Sequence, residues 1–491
     1  MEEKVIIPYA PLLVESIRSI GYSFESAVAD IIDNSISAAA SSIYIRFSSK
    51  DPQKLSIQDN GCGMSPEELE NAMRYGSKSS LDERAANDLG RFGLGLKTAS
   101  LSQCRKLTVI TKKGGKISAA CWDLDYIVRK ANWSLQIFSP EEIQALPEYN
   151  ALKKQESGTI VIWENFDRLK KGTAQMQKVF DEKIASARDH IALVFHRFLY
   201  NTENISDYIS IYFNGEEVKG IDPFLTRHPA TQPLSEQILR IGTEAIYVKP
   251  YVLPHISKLK QKDLNELGGK DEFRQKQGFY IYRNKRLIIW GTWFRLIKFN
   301  ELGKLARIRV DIPNSLDDIW EIDIKKSTAS LPHFIKKNLI NIVENTIGRS
   351  ERVYKYRGRN LNSDQLIHIW SPIDNRGKFS YQINPDHPII KMVENHLDEE
   401  GLSLFNTFIR MLEDTFPYAD IYYRMAKNNS TPPENTLSND SVYLMLSQLI
   451  QESKKENQNI DAILSRLSKI DTFSKYPDVL EKIKETYRDD R

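Results

Sequence analysis

The chain has 491 residues, of which 41% are hydrophobic and 27% charged, with a formal net charge of +3. That length suits about three ordinary domains, the composition excludes a disordered or fibrous chain, and so small a charge leaves any nucleic-acid binding to local patches. The opening MEEKVIIPYA lacks the basic-then-apolar order of a secretion signal and no apolar run is long enough to span a bilayer, so a cytoplasmic protein with no membrane partner is expected.

Three cysteines, Cys62, Cys104 and Cys121, form no C-x-x-C pair, which argues against a disulfide framework or a zinc site, and Cys62 reads as a small packing residue. The eight histidines show no metal-ligand spacing.

LLVESIRSIG reads as a short helix closed by Gly21. A helix through AVADIIDNS then places Phe24, Val28, Ile31, Ile32 and Ser35 on one side and Asp30, Asp33, Asn34 and Ser37 on the opposite arc. Asp30 and Asn34, one turn apart, are spaced for one to hold a metal while the other orients a water; a solvated polar face is the alternative. SIYIRFS and LSIQ read as strands, and DNGCGM (59–64) as a turn whose glycines let backbone approach a flat ligand, with Asp59 an acceptor for an exocyclic amine. A helix with Pro66 in its first turn follows.

Residues 88–100, DLGRFGLGLKTAS, set Gly90, Gly93 and Gly95 before a helix start, where exposed N–H groups and the helix dipole favour phosphate. The block is not a Walker A loop, because Leu96 intervenes between Gly95 and Lys97-Thr98, and it is not a dinucleotide fingerprint, because Thr98 stands where the third glycine belongs. LTVITKK, KISAACWDL and GTIVIW are strands, a helix-like stretch occupies 139–155, and Trp122 and Trp163 read as packing residues.

The order D-x-x-D-N, DNGCGM, GRFGLGLK and SGTIVIW resembles the GHKL superfamily of ATPases, and RYGSKSS at 74–80 is most similar to the MutL and bacterial MORC-like branches. The resemblance implies an α+β fold: a Bergerat α/β sandwich ATPase domain over 1–170, a transducer (ribosomal S5-like) α/β domain over 171–348 and a mostly helical region over 349–491. It implies ATP and Mg2+ as ligands, with Asn34 on the metal, Asp59 on the adenine amine, Gly63 against the base beside Gly61 and Met64, and Thr159 joined to Asp59 through water. Ser77 and Lys78, with Gly90, Arg91, Phe92, Gly93, Leu94, Gly95, Leu96 and Lys97, would close over the phosphates. The family's water-activating glutamate is here Asp30, and Ser37-Ala38 replaces its Asp-Ala pair, so the expectation is slow hydrolysis.

Beyond residue 171, VFDEKIASARDHIALVFHRFL reads as a long amphipathic helix and YISIYFNGEEV as a strand and turn; His190 and His196 are ordinary helix positions. QGFYIYRNKRLIIWGTW and ARIRVDIPNSLDDIWEIDIKKS resemble the transducer, whose loop lysine reaches the terminal phosphate. Lys326 and Lys325 are the candidates, a surface lysine pair being the other reading.

RSERVYKYRGR (349–359) interleaves five basic residues with two tyrosines, a pattern that suits nucleic acid or a solvated linker, and KLKQK (258–262) carries the same two readings. The segments 387–415 and 441–487 read as helices about a polar linker, with Leu444, Leu446, Leu449, Ile450, Ile460, Ile463, Leu464 and Leu467 packing in a helix pair or facing a partner. The functional expectation is a nucleotide-gated homodimeric clamp, acting on DNA in repair, restriction or phage defence, with other proteins of a multi-gene system as further partners. An Hsp90-like protein-remodelling chaperone and a non-hydrolysing ATP-binding scaffold are the alternatives.

Overall fold

The computed structural model describes residues 3–4, 8–19, 21–76, 95–170, 175–199, 208–298, 303–317, 320, 333–355, 366–375, 378–421, 437–455 and 459–488. Contacts divide the chain into two units, Met1–Arg357 and Gly358–Arg491.

The first unit begins with α1 (Ala10–Arg18) and α2 (Phe24–Ser37), the latter started by the Ser23 hydroxyl accepting from the Ser26 N–H. Then come β1 (Ser42–Ser48), β2 (Lys54–Asp59), α3 (Pro66–Met73) and α4 (Gly95–Gln103). A capping box between Ser65 and Glu68, with Pro66 at the first helical position, fixes the start of α3.

Strands β3 (Lys106–Lys113) and β4 (Lys116–Asp123) pair across the two-residue turn Gly114–Gly115; α5 (Leu124–Lys130) and β5 (Gln136–Ile137) follow. The expected helix over 139–155 is two short pieces, α6 (Pro140–Ala145) and α7 (Tyr149–Lys153), ahead of β6 (Gly158–Glu164) and α8 (Asp167–Lys170). Next are α9 (Met176–Val194), α10 (His196–Leu199), β7 (Ser210–Phe213) and β8 (Glu216–Glu217).

These eight strands make one sheet in the order β5-β4-β3-β6-β2-β1-β7-β8. All neighbours are antiparallel except β1 and β7, which run parallel. Central β2 is buried along nearly its whole length, so its residues are apolar or hydrogen-bonded rather than alternating. Helix α2 packs against both α4 and α9, and Phe180, Ile184, Ala187 and Ile191 of α9 share a core with Phe24, Ala27, Val28 and Ile31. The expected boundary at 171 therefore needs correction: α9 and β7 complete the first core, because without them one flank of α2 and one edge of β1 would face water.

The second sheet contains β9 (Gln232–Pro233), β10 (Gln237–Ile241), β11 (Glu244–Val252), β12 (Gly278–Arg283), β13 (Arg286–Thr292) and β14 (Ala306–Ile312). Its order is β10-β11-β14-β12-β13, with β9 on β11. Two short helices, α11 (Gln261–Glu266) and α12 (Gly269–Gln275), lie in the β11–β12 connection, so KLKQK spans a turn and a helix start.

Helix α13 (His333–Lys355) lays Ile335, Leu339, Ile342 and Val343 on the sheet residues Ile246, Val248, Ile308 and Val310. It runs unbroken through the expected boundary at 349, so the first half of RSERVYKYRGR is helix rather than linker, while 356–359 lie outside the described residues.

The second unit has a hairpin, β15 (Trp370–Asn375) and β16 (Lys378–Ile383), followed by α14 (Pro388–Asn395) and α15 (Glu399–Asp414). Helices Asn439–Lys455, Ile460–Leu467, Asp471–Ser474 and Pro477–Arg488 then enclose Leu446, Leu449, Ile450, Ile463, Leu464 and Leu467 with Val479 and Ile483. Leu444, expected among them, is 60% exposed.

Candidate functional site

The carboxyl end of β2 and the middle of α2 bring the sequence motifs together. Asp59, the last residue of β2, is 5% exposed. Its Oδ2 accepts from the Ser35 hydroxyl at 2.9 Å, and its Oδ1 from the Gly61 N–H at 2.9 Å and the Thr159 N–H at 3.2 Å. Burial nonetheless pushes the Asp59 carboxyl above its usual range, so desolvation outweighs three hydrogen bonds. Thr159 reaches Asp59 through its backbone, directly; its hydroxyl lies 3.1 Å from that of Thr111, whose Oγ also accepts from the Met64 N–H at 2.9 Å.

The turn after Asp59 is packed tightly at both of its glycines. A Cβ on Gly61 would stand 2.7 Å from the Ala38 carbonyl oxygen. Gly63, at φ +64°, would put one 2.0 Å from the Lys112 carbonyl oxygen, so both the left-handed backbone and the space demand glycine. The Ser157 hydroxyl donates to the Gly61 carbonyl at 2.7 Å. Cys62, between the two glycines, is exposed, which corrects its reading as a packing residue; Cys104 and Cys121 are the buried thiols.

Helix α2 departs from the expected division into a core face and an open row of oxygens. Asn34 is exposed, but Asp30 and Asp33 are 3% and 1% exposed. The Tyr22 hydroxyl donates to Asp30 Oδ2 at 3.0 Å, and burial together with the Asp30 charge drives that phenol well above its ordinary pKa. Arg286 covers the other side: its Nε is 2.9 Å from Asp33 Oδ1 and its Nη2 3.5 Å from Asp30 Oδ1. Neither N–H points squarely at its oxygen, so the link is one of charge proximity rather than an aligned hydrogen bond.

Gly95 starts α4 beside this acid, its Cβ position 3.5 Å from Asp30 Oδ2, and Leu96 is half-buried. Lys97 turns inward: its Nζ donates to the Ala72 and Arg74 carbonyls, both at 2.8 Å, and burial lowers its pKa to about 8. In this arrangement its ammonium holds the carbonyls at the end of α3. Ser77, Lys78, Gly90, Arg91, Phe92, Gly93, Leu94, Lys325 and Lys326 lie outside the described residues.

Tyr22, Ser35, Thr111, Ser157 and Arg286 were not singled out from the sequence. A serine on the apolar stripe of α2 was the legible sign for Ser35. The others are brought in by strand register or tertiary packing.

The set brings together a buried acceptor, a glycine turn packed against backbone and an exposed asparagine one turn from a carboxylate, groups of the kinds that recognise an exocyclic amine and a cation. Among the described residues no cluster of three His, Cys, Asp or Glu could hold a metal by itself. A cation here would rest on the Asn34 oxygen and on ligand and water oxygens, a donor set that suits Mg2+.

Residues 22–159 match the family described as histidine kinase-, DNA gyrase B-, and HSP90-like ATPase. Among curated proteins, ATPase morc-1 of Caenorhabditis elegans is 35% identical over 95 residues, 19% of this chain and 11% of that protein. DNA mismatch repair protein MutL of Lactobacillus delbrueckii subsp. bulgaricus is 29% identical over 93 residues, 18% of this chain and 14% of that protein. A solved structure described as the N-terminal domain of a DNA repair protein is 17% identical with a TM-score of 0.44, covering 70% of this chain and 99% of its own. The resemblance read from the motifs stands for residues 22–159, the stretch that the family model matches. The matched stretch spans only a small fraction of either curated relative.

Proposed function

We propose that this chain binds ATP between Asp59 and Asn34 and hydrolyses it slowly, using the nucleotide as a switch. The observation that carries the reading is Asp59, a carboxyl group kept buried at an energetic cost beside the tightly packed Gly61–Gly63 turn. A fold that needed only a core would place an apolar side chain there.

In this reading Asp59 accepts from the adenine amine while its protein donors fix its orientation. Asn34 presents its amide oxygen to the cation, and Asp30 takes the proton of the attacking water. Bound Mg2+ would neutralise phosphate charge. The Gly95 end of α4 supplies backbone N–H groups beside Asp30. Ser77, Lys78 and Gly90 to Lys97 are proposed to contact the phosphates, Lys326 or Lys325 the terminal one, and the β9–β14 sheet with α13 is proposed as the transducer.

The similarity to a DNA mismatch repair protein favours DNA as the partner of an ATP-bound dimer, and defence against phage is one setting for such a clamp. No helix among the described residues is long and apolar enough to cross a membrane.

The test is calorimetric titration with Mg-ATP, followed by turnover with and without duplex DNA. ATP is expected to bind, DNA to raise turnover, and Asp30→Asn to cut turnover by about a hundred-fold with binding retained. No heat of binding would overturn the reading; stimulation by unfolded protein and not by DNA would replace the DNA partner with a protein client.

A further inference from the structure

We propose that Arg286 is a positioning residue for Asp30, through which the second sheet sets the alignment of the carboxylate that works on water. The inference rests on the reading of Asp30 given under Proposed function.

Arg286 is the first residue of β13, directly after the turn residues Asn284 (φ 47°) and Lys285 (φ 67°). Two consecutive left-handed residues make the tight hairpin that reverses β12 into β13. At the other end of that turn Arg283 is fixed within its own part of the fold, its Nε donating to Asp317 at 2.8 and 3.0 Å. The hairpin tip is therefore held to the second sheet, while the Arg286 side chain leaves it for α2.

There the guanidinium faces two carboxylates one helical turn apart and lies 5.7 Å from the centre of the Phe195 ring. With its side chain 5% exposed, it works where solvent screens little. A partner for Asp33 alone would serve packing. The Arg286 Nη2 also lies 3.5 Å from Asp30 Oδ1, while Tyr22 donates to Oδ2, so a cation stands near one oxygen of the Asp30 carboxylate and a hydroxyl holds the other.

That matters more for aspartate than for glutamate. The side chain is one methylene shorter, its reach to a water is set by the orientation of the carboxylate, and small misplacements of a reacting group cost large factors in rate. A shift of the second sheet moves Arg286 with it, so the acid receives the position of that sheet as an orientation. Turnover, and not nucleotide affinity, is then the quantity that changes.

The experiment measures kcat and ATP affinity separately for the full chain and for Arg286→Gln, Arg286→Lys and Asp33→Asn/Arg286→Gln. Expected are a fall in kcat of at least ten-fold for Arg286→Gln with ATP affinity within two-fold of wild type, and partial recovery for Arg286→Lys. The double variant, which removes one of the buried charges that Arg286 faces, is expected to keep the low kcat.

Recovery of kcat in the double variant would assign Arg286 to charge balance at Asp33 and overturn the proposal. So would kcat and affinity falling in proportion, or kcat within two-fold of wild type throughout. Should Arg286→Gln fail to fold, the lysine and double variants decide between the same outcomes. A wild-type protein that binds ATP without turning it over overturns the hydrolytic reading itself, whereas normal wild-type turnover with indifferent variants overturns the role of Arg286 alone.

Discussion

Asp59 works against its surroundings. Burial favours its protonated form, so its folded-state pKa lies above the unfolded one, and wild-type stability falls as pH rises from the ordinary carboxylate range through the raised value. Asparagine has the same shape and no charge, its oxygen can accept from Gly61 and Thr159, and the Ser35 hydroxyl can rotate to accept from its amide. Asp59→Asn is therefore expected to melt higher than wild type at pH 8, with a smaller advantage at pH 5. Its ATP affinity should fall by about ten-fold or more, the cost of one hydrogen bond to a charged group. Melting curves at the two pH values and one titration check both halves.

At this scale, what the sequence disclosed depended on distance along the chain. The turn at Asp59, Gly61 and Gly63 is legible because turn chemistry is set within a few residues, whereas the contacts that close it, from Ser35, Ala38, Lys112 and Thr159, are not. The burial of Asp30 and Asp33 is not: helical periodicity puts them opposite the apolar stripe, and the group that covers them comes from a strand of another sheet. An arginine after a two-residue turn carries no local sign of where its side chain goes.

Among the elements, helices show how far periodicity can be trusted. Leu446, Leu449, Ile450, Ile463, Leu464 and Leu467 recur at helical spacing and are buried as that spacing implies, but Leu444, drawn from the same run, points outward. Helix α15 carries a regular stripe as well, with Leu404 67%, Phe408 51% and Met411 58% exposed, and buries none of its residues. Periodicity reports a face, not whether anything covers it. Ile463→Ala is thus expected to destabilise the protein by about 2–4 kcal/mol through a lost contact and a cavity. Leu404→Gln should stay within about 0.5 kcal/mol. Urea unfolding followed by tryptophan fluorescence and far-UV circular dichroism compares the two.

For the whole molecule, most strands of the first sheet and β12 to β14 of the second could be read in order, but β5, β9, β10 and β11 could not, and neither could the membership of the sheets. The segment after 170 looks like the start of something new because its texture changes from short strands to a long helix. Spatially it finishes what precedes it: α9 lies against α2, and β7 extends the first sheet beside β1. Crossover strands of this kind leave no local trace, since the pairing partner lies far away in the chain. A fragment of residues 1–170 is accordingly expected to lack a cooperative thermal transition, whereas residues 1–357, one contact unit, should melt cooperatively and bind ATP as the full chain does. Calorimetry of the two fragments distinguishes them.

The parallel pairing of Ser42–Ile45 with Ser210–Phe213 also bears on how the protein is made. On the ribosome, β1 emerges long before the strand that will flank it, so the nascent polypeptide must wait with an open hydrogen-bonding margin and the α9 side of α2 uncovered. Only once β7 clears the exit tunnel can the first sheet be completed beside β1. Synthesis of this chain therefore passes through an interval in which the motifs most visible in its sequence exist as peptide but not yet as a site.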